Sequence, residues 1–519
     1  MVGKLLMNIK KLIFVLLFFS AIYSQAQTKY WILFKDKKDN ADANYVSETC
    51  LANRAKFNLP LHQFTDIPVT AEYIAEVKEL GVKVLSKSKW LNGITGYATS
   101  AQLEEVKKLT FVKEVFAVNI TIQVTSTKLD MKPALYSEPL RQMHSYVITE
   151  NNLTGKGVTI GVTDAGYWGA NNDPYLLHLY TDKSIKGQRD FINPERKDLI
   201  FEPATDSDHH GCWVMDRICG FNEETKAEAG FATNSGFYLS RTENGEREYR
   251  GEEDNWVAAI EWLDSLGVRL VNTSLGYSIK MDNPADNYKQ QDMNGKTTVI
   301  TRAAQIATDQ KGMFLVVSAG NEGENTSWQI ISAPADAPGV LSIGATREKN
   351  CERIGYSSIG PEFNNYLKPN VSCFSAGGTS FSAPVITGFV ACLMEKAPNL
   401  NNKQLKKIVE KSANLYPYGN NYIGYGYPIA DRALKLLTDS TYNFGVAATA
   451  EMKGKKATIK CEKFKTQEVV LFHKKNDFVV LSQEVVTIKK GKIKLKRRPE
   501  EVRTTISFED EGVIEVIWR

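Results

Sequence analysis

Four polar residues stand in contexts that suit attack on a carbonyl group. Asp164 ends the run Val158-Thr159-Ile160-Gly161-Val162-Thr163, and His210 follows Asp208-His209 and opens Gly211-Cys212-Trp213-Val214-Met215. Asn321 follows Val317-Ser318-Ala319-Gly320, and Ser380 lies in Gly378-Thr379-Ser380-Phe381-Ser382-Ala383-Pro384. Singly, each has an ordinary reading: a turn carboxylate, a structural histidine, a turn amide, a helix N-cap. Together they supply the parts of one mechanism. A serine hydroxyl attacks once a base takes its proton, and an imidazole is that base when a buried carboxylate fixes its tautomer. The tetrahedral oxyanion then needs donors, which a backbone N–H at a helix N-terminus and an amide side chain provide. The chain order Asp, His, Ser is one of the orders in which this constellation occurs.

Asp164-Ala165-Gly166, His210-Gly211, Ser318-Ala319-Gly320-Asn321 and the segment around Ser380 resemble the subtilisin-like serine proteases, the subtilases, over roughly residues 155–438. The resemblance implies a serine endopeptidase with Asp164, His210 and Ser380 as its triad, Asn321 at the oxyanion hole, and an acyl-enzyme intermediate. It implies a substrate-binding edge at Ser274, Leu275 and Gly276, where a peptide adds as a strand. Gly320 and Gly378 would permit close backbone approach. Ala319 and Gly320, facing Ser274-Leu275-Gly276, would wall a first subsite tolerant of large uncharged side chains. No cofactor is required; calcium is common in the family, but no ligand cluster here assigns it, and no metal residue is named. Two departures are Ala165, where the family has Ser or Thr, and Cys212, where it has Thr. Both are small, so geometry survives and rate is what they would lower. The competing class is a subtilase-fold protein that binds peptides with weak or no catalysis. An esterase would set its serine in Gly-x-Ser-x-Gly, and Ser380 is not in one.

The scaffold that must hold these residues is legible as alternation of strands and helices. Continuous apolar runs at Val158–Thr163, Phe237–Leu239, Val268–Asn272, Met313–Val317 and Val340–Ile343 alternate with helical patterns. One helix is capped by Asp254, bears Trp256, Ile260 and Leu263 and stops at Gly267; others cover 297–310 and 379–396. Such runs argue for a parallel α/β sheet with helices on both faces, its site at the carboxyl ends of the strands. Residues 28–120 read as a small α+β unit, with helices capped by Thr70 and Ser100, and resemble the family's propeptide, an inhibitor and folding aid. Residues 119–150 read as a linker to be cut. After about 440 the pattern becomes β-like, and this tail is expected to be separable from catalysis. The expected organisation is 1–26 signal peptide, 27–125 propeptide, 126–440 catalytic domain and 441–519 β-rich C-terminal domain.

The chain has 519 residues and a net charge of +4, unevenly placed. Residues 445–519 carry 17 Lys and Arg against 11 Asp and Glu, while 27–444 carry 44 against 49. The mildly acidic bulk excludes a nucleic-acid binder, which must neutralise phosphates. The basic Lys489–Arg498 stretch reads as a solvated strand face. Lys10 and Lys11, the apolar run Leu12–Phe19, and Ser24-Gln25-Ala26 form the three parts of a secretory signal peptide. The mature protein is therefore expected outside the cytoplasm, secreted or periplasmic, with no membrane contact after cleavage. Its partners would be polypeptide substrates and its own propeptide. Seven cysteines without a CxxC pair leave room for one or two disulfides but read mostly as buried apolar residues.

Overall fold

The computed structural model describes residues 28–38, 43–118, 137–201, 206–244, 251–279 and 287–519. The signal peptide at 1–26 and most of the 119–150 linker lie outside them.

Four strands open the chain: β1 (Thr28–Phe34), β2 (Lys83–Ser88), β3 (Gly93–Ala98) and β4 (Val112–Val118). They form an antiparallel sheet in the order β2-β3-β1-β4. Because strand side chains alternate, β1 serves two cores. Ile32 and Phe34 meet the helices Ala71–Glu79 and Ser100–Val106, while Trp31 and Leu33 join the core of the next unit. Capping differs from expectation in detail. Thr99, not Ser100, caps its helix in a reciprocal box with Gln102. Thr70 precedes its helix, but its hydroxyl accepts from Lys38 N–H instead.

The central sheet uses β5 (Thr159–Asp164), β6 (Ile185–Asp190), β9 (Gly236–Arg241), β10 (Leu270–Thr273), β11 (Phe314–Ser318), β12 (Leu341–Thr346) and β13 (Val371–Phe374); the short β7 (Phe221–Asn222) and β8 (Ala227–Glu228) pair apart from it. All seven run parallel in the order β13-β12-β11-β10-β5-β9-β6. Their continuous hydrophobicity follows from burial on both faces. Leu270, Phe314 and Val316 face the helices His210–Cys219 and Ala383–Lys396; Val271, Leu315 and Val317 face Gly251–Ser265 and Val299–Asp309. Each such side chain taken from water contributes about 1.5–3 kcal/mol. Helix Gly251–Ser265 begins before Asp254, which therefore lies in its first turn and pairs with Lys29 of β1. Residues expected as linker include the short helices Glu138–Gln142 and Ser145–Glu150, whose Leu140 and Ile148 belong to the catalytic core along with Met143.

The tail holds β14 (Ala447–Met452), β15 (Lys456–Lys460), β16 (Glu468–Lys474), β17 (Val480–Thr487), β18 (Lys492–Lys496), β19 (Arg503–Ser507) and β20 (Val513–Trp518). A five-stranded sheet, β14-β20-β19-β16-β17, is covered on one side by the β15–β18 ribbon. The tail expected to be separable shares its core with the catalytic unit. Val470, Phe472, Val480 and Val513 lie in the same core cluster as Ile160, Val162 and Phe389. His144 joins the pieces, its ring nitrogens 3.1 Å from Asp431 and 3.2 Å from Asp510. All seven cysteines are free and buried.

Candidate active site

Three strands deliver the site at their carboxyl ends, as the parallel sheet requires. β5 ends on Asp164, β10 leads into Ser274, and β11 into Ala319 and Gly320. Asp164 is 1% exposed, and its Oδ1 accepts from His210 Nδ1 at 2.7 Å and from Ala165 N–H at 2.8 Å. His210 stands at the first position of helix His210–Cys219. Burial disfavours the imidazolium, but the Asp164 charge and hydrogen bond outweigh it and raise the His210 pKa above its ordinary value. Gly211 explains how the two segments approach so closely: its N–H donates to Gly166 O at 2.9 Å, and a Cβ there would fall against that carbonyl oxygen. His209 turns the other way, its ring 5.8 Å from Trp213 and edge-on to Trp168 at 4.0 Å. Adjacent histidines are thus sorted, with His210 alone against Asp164.

Ser380 lies in the single turn Thr379–Phe381, just before helix Ala383–Lys396. Its carbonyl accepts from Ser274 Oγ at 2.9 Å, while the Phe381 ring lies 5.4 Å from that of His210. Among the described residues no hydrogen bond joins Ser380 Oγ to His210, and the His210 Nε2 edge is unengaged. Such contacts commonly tighten only when substrate binds.

Asn321 has its amide orientation set by chemistry. Its Oδ1 accepts from Thr379 N–H at 2.9 Å and from Thr379 Oγ at 3.0 Å. A backbone N–H can only donate, so the oxygen must face Thr379 and the Nδ2 donors face out. Gly378, at φ +132°, passes beside that amide, and a Cβ there would lie 3.3 Å from Nδ2. Among the described residues the Ser380 N–H likewise has no acceptor. Thr379 Oγ also accepts from Gly320 N–H at 3.0 Å, tying the Ala319-Gly320 turn to the serine turn. Leu275 and Gly276 carry main-chain groups that no other described residue engages, before Tyr277 bridges to Ala333. The structure thus gathers every expected residue, from Asp164 to Gly378, at one end of the sheet.

The two departures have visible consequences. Asp164 Oδ2 is buried and has no hydrogen-bond partner among the described residues, in keeping with the hydroxyl missing at Ala165. The Cys212 thiol lies 3.9 Å from Asp173 Oδ2, and burial pushes its pKa far up, so it is an inert thiol.

One residue beside the site escaped sequence reasoning. Arg241, at the end of β9, is 6% exposed and donates from Nε to Ala165 O at 2.7 Å and from Nη2 to Asp208 Oδ1 at 3.3 Å. It therefore clamps the Asp164 loop to the segment carrying His210. Its only sequence signal is a charge closing an apolar strand. Glu243, two residues on, is raised in pKa by burial and by the Asp164 charge, while hydrogen bonds from Tyr277 (2.5 Å) and Thr242 (3.1 Å) work against that rise. Among the described residues no three His, Cys, Asp or Glu side chains converge as a metal site needs.

Comparison with known proteins agrees with this arrangement. A profile described as the subtilase family matches residues 155–426, and one described as the peptidase S8 propeptide domain of Bacteroidota matches 29–132. Subtilisin NAT of Bacillus subtilis subsp. natto is 24% identical over 371 residues, covering 67% of this chain and 83% of that protein. Among solved structures, fervidolysin of Fervidobacterium pennivorans, a keratinolytic enzyme, aligns with a TM-score of 0.51 at 17% identity over 93% of this chain and 70% of its own. The epidermin leader peptide processing serine protease of Staphylococcus aureus aligns with a TM-score of 0.52 at 14% identity over 80% of this chain and 99% of its own. These structural likenesses concern the fold.

Proposed function

The chain belongs to the subtilase family and is a subtilisin-like serine endopeptidase, and from that premise we propose that Asp164, His210 and Ser380 are its triad and that it is exported as a zymogen. Asp164 holds the Nδ1–H of His210, so Nε2 is the basic nitrogen. It takes the Ser380 proton as Oγ attacks the scissile carbonyl, then returns it to the leaving amine. The Asn321 Nδ2–H and the Ser380 N–H stabilise the oxyanion; water then attacks the acyl-enzyme by the same base. The substrate main chain pairs with Leu275 and Gly276, which have donors and acceptors to spare. The observation that carries this reading is the 2.7 Å Asp164–His210 hydrogen bond beside an Asn321 amide turned outward.

The zymogen reading rests on the 29–132 match and on the surface that this unit covers. Trp31, Leu33 and Trp90 pack with Trp256, Ile260 and Ile300 of the two catalytic helices, and Glu261 accepts from Ser88 Oγ (2.5 Å) and from Lys89 and Trp90 N–H (each 3.1 Å). Leu140, Met143 and Ile148 are part of the catalytic core, so the maturation cut falls earlier, between 119 and 137. Residues 1–26 would direct export. The test is labelling by a fluorophosphonate together with N-terminal sequencing. Ser380→Ala should abolish labelling and casein hydrolysis and keep the chain uncut from Gln27 onward. Labelling at another serine, or full activity with 28–118 still attached, would overturn the assignment.

A further inference from the structure

The β15–β18 ribbon carries an arrangement that catalysis does not use. Its register sets Lys456 opposite Lys496, Thr458 opposite Lys494 and Lys460 opposite Lys492. Between them, Ile459, Ile493 and Leu495 point inward and are buried in the tail's own core. Alternation therefore turns five lysines and Thr458 to the outer face, and all six are exposed. Along a strand the Cβ atoms of these lysines repeat at about 6.7 Å, and those of the opposed pairs Lys456–Lys496 and Lys460–Lys492 lie about 5 Å apart.

Like charges set directly opposite destabilise a strand pair, and a face needing only solubility would intersperse both signs. Five other basic residues of the same domain do find carboxylates: Lys474 and Arg503 with Glu515, Lys475 with Glu362, Arg498 with Glu484 and Arg519 with Glu451. None of the five ribbon lysines has such a carboxylate among the described residues. The ribbon also faces away from the catalytic domain, because the opposite side of the five-stranded sheet is the side that enters the catalytic core through Val470 and Phe472.

We propose that this lysine face docks the protease on an anionic phospholipid surface, with the catalytic domain directed away from it. The occupant follows from the chemistry of the face. Lysine ammoniums are point charges without the planar fork that reads a single phosphate. The face has no aromatic platform on which a nucleic-acid base would stack. A flat raft of five unpaired ammoniums matches the diffuse field of a headgroup plane. Contact would be peripheral: among the described residues no helix is long and apolar enough to cross a membrane. This departs from the reading of Lys489–Arg498 as a merely solvated strand.

The test is co-sedimentation of the full chain with vesicles of phosphatidylcholine carrying about 30% phosphatidylglycerol, beside pure phosphatidylcholine, at low and high salt. Each lysine near an anionic surface strengthens partition about fivefold, so the triple change Lys456→Gln, Lys492→Gln, Lys494→Gln should weaken it about 100-fold. The corresponding Lys→Arg triple should retain binding, and both variants should hydrolyse a short peptide as the parent does. Equal binding to neutral vesicles, insensitivity to salt, or unchanged binding by the Gln triple would overturn the proposal. Tighter binding to duplex DNA or to poly-glutamate than to the anionic vesicles would overturn it in favour of those polymers.

Discussion

Replacing Lys311 with Met should loosen the grip of the N-terminal unit on the catalytic domain while leaving the chemistry intact. The Lys311 side chain is fully buried, with its Nζ 2.7 Å from Asp66 Oδ1 of the N-terminal unit and 3.8 Å from Asp264 Oδ2 of its own domain. Arg54 of the N-terminal unit completes a square, donating to Asp66 at 2.5 and 2.8 Å and to Asp264 at 3.2 Å. Two cations thus meet two carboxylates across the boundary. Burial raises the Asp66 pKa, but the Arg54 and Lys311 contacts more than reverse this and hold it at about 2. Truncating one partner of a buried, hydrogen-bonded charge pair costs about 2–5 kcal/mol, mostly as faster dissociation. Asp66 keeps Arg54, so the lower part applies: about 2–3 kcal/mol, or roughly 30- to 150-fold in Kd. The assay is inhibition of the matured enzyme by added peptide 28–118, read with a fluorogenic substrate. Lys311→Met should raise Ki by that factor with kcat/KM unchanged. A depressed carboxylate pKa stabilises the complex fully above its free value of 3.8, and that share is lost as pH falls toward about 2. Inhibition should accordingly weaken in strong acid. An unchanged Ki would refute the reasoning, as would a matching loss of kcat.

Asn321→Ala should lower kcat about 100- to 1,000-fold with KM nearly unchanged, a magnitude known for the corresponding donor of a subtilisin and carried over from it. Ala165→Ser offers a hydroxyl to the orphaned Asp164 Oδ2 and should raise kcat several-fold; steady-state kinetics showing no gain would mean that water already serves that oxygen. His144 is raised to about 9 by its hydrogen bonds to Asp431 and Asp510, so its contribution is complete below pH 6.5 and lost as pH rises through about 9. His144→Gln should lower the unfolding free energy at pH 6 by on the order of 1 kcal/mol, given two half-exposed carboxylates, read as a lower Tm, and leave Tm unchanged at pH 10. A chain stopped after Ser440 should be insoluble, because it bares the face that Phe472 and Val513 cover; a soluble, active fragment by gel filtration and peptide hydrolysis would contradict the shared core.

The parallel sheet was readable where both faces are buried. β5, β10 and β11 are nearly continuous apolar runs, and each ends within a residue or two of a site residue. β6 was missed because Ile185–Asp190 is an edge strand with polar side chains, three of them charged. Helix Asn402–Ser412 left a signal that was overlooked: Asn401 and Gln404 form a reciprocal cap, and Leu405, Ile408 and Val409 keep helical spacing. The site residues were legible because their types are chemically demanding and their neighbours small. Arg241 was not, because its role consists of distances to Ala165 and Asp208, segments far from it in sequence. The tail's attachment was invisible for the same reason: alternation in β16 marks two buried faces, but nothing local tells which partner Phe472 meets.

That attachment ties activity to the order of synthesis. Val513 of β20, far along the chain, sits in one cluster with Ile160 and Val162 of the strand bearing Asp164. Domains generally condense in the order in which they emerge, yet this core lacks part of its wall until β20 has appeared. A chain from which β20 has not yet emerged lacks Val513 from the core around Ile160 and Val162, whatever its N-terminal unit has achieved. Closure of that wall is thereby deferred until β20 has emerged, a delay independent of inhibition by the N-terminal unit and already in force before it.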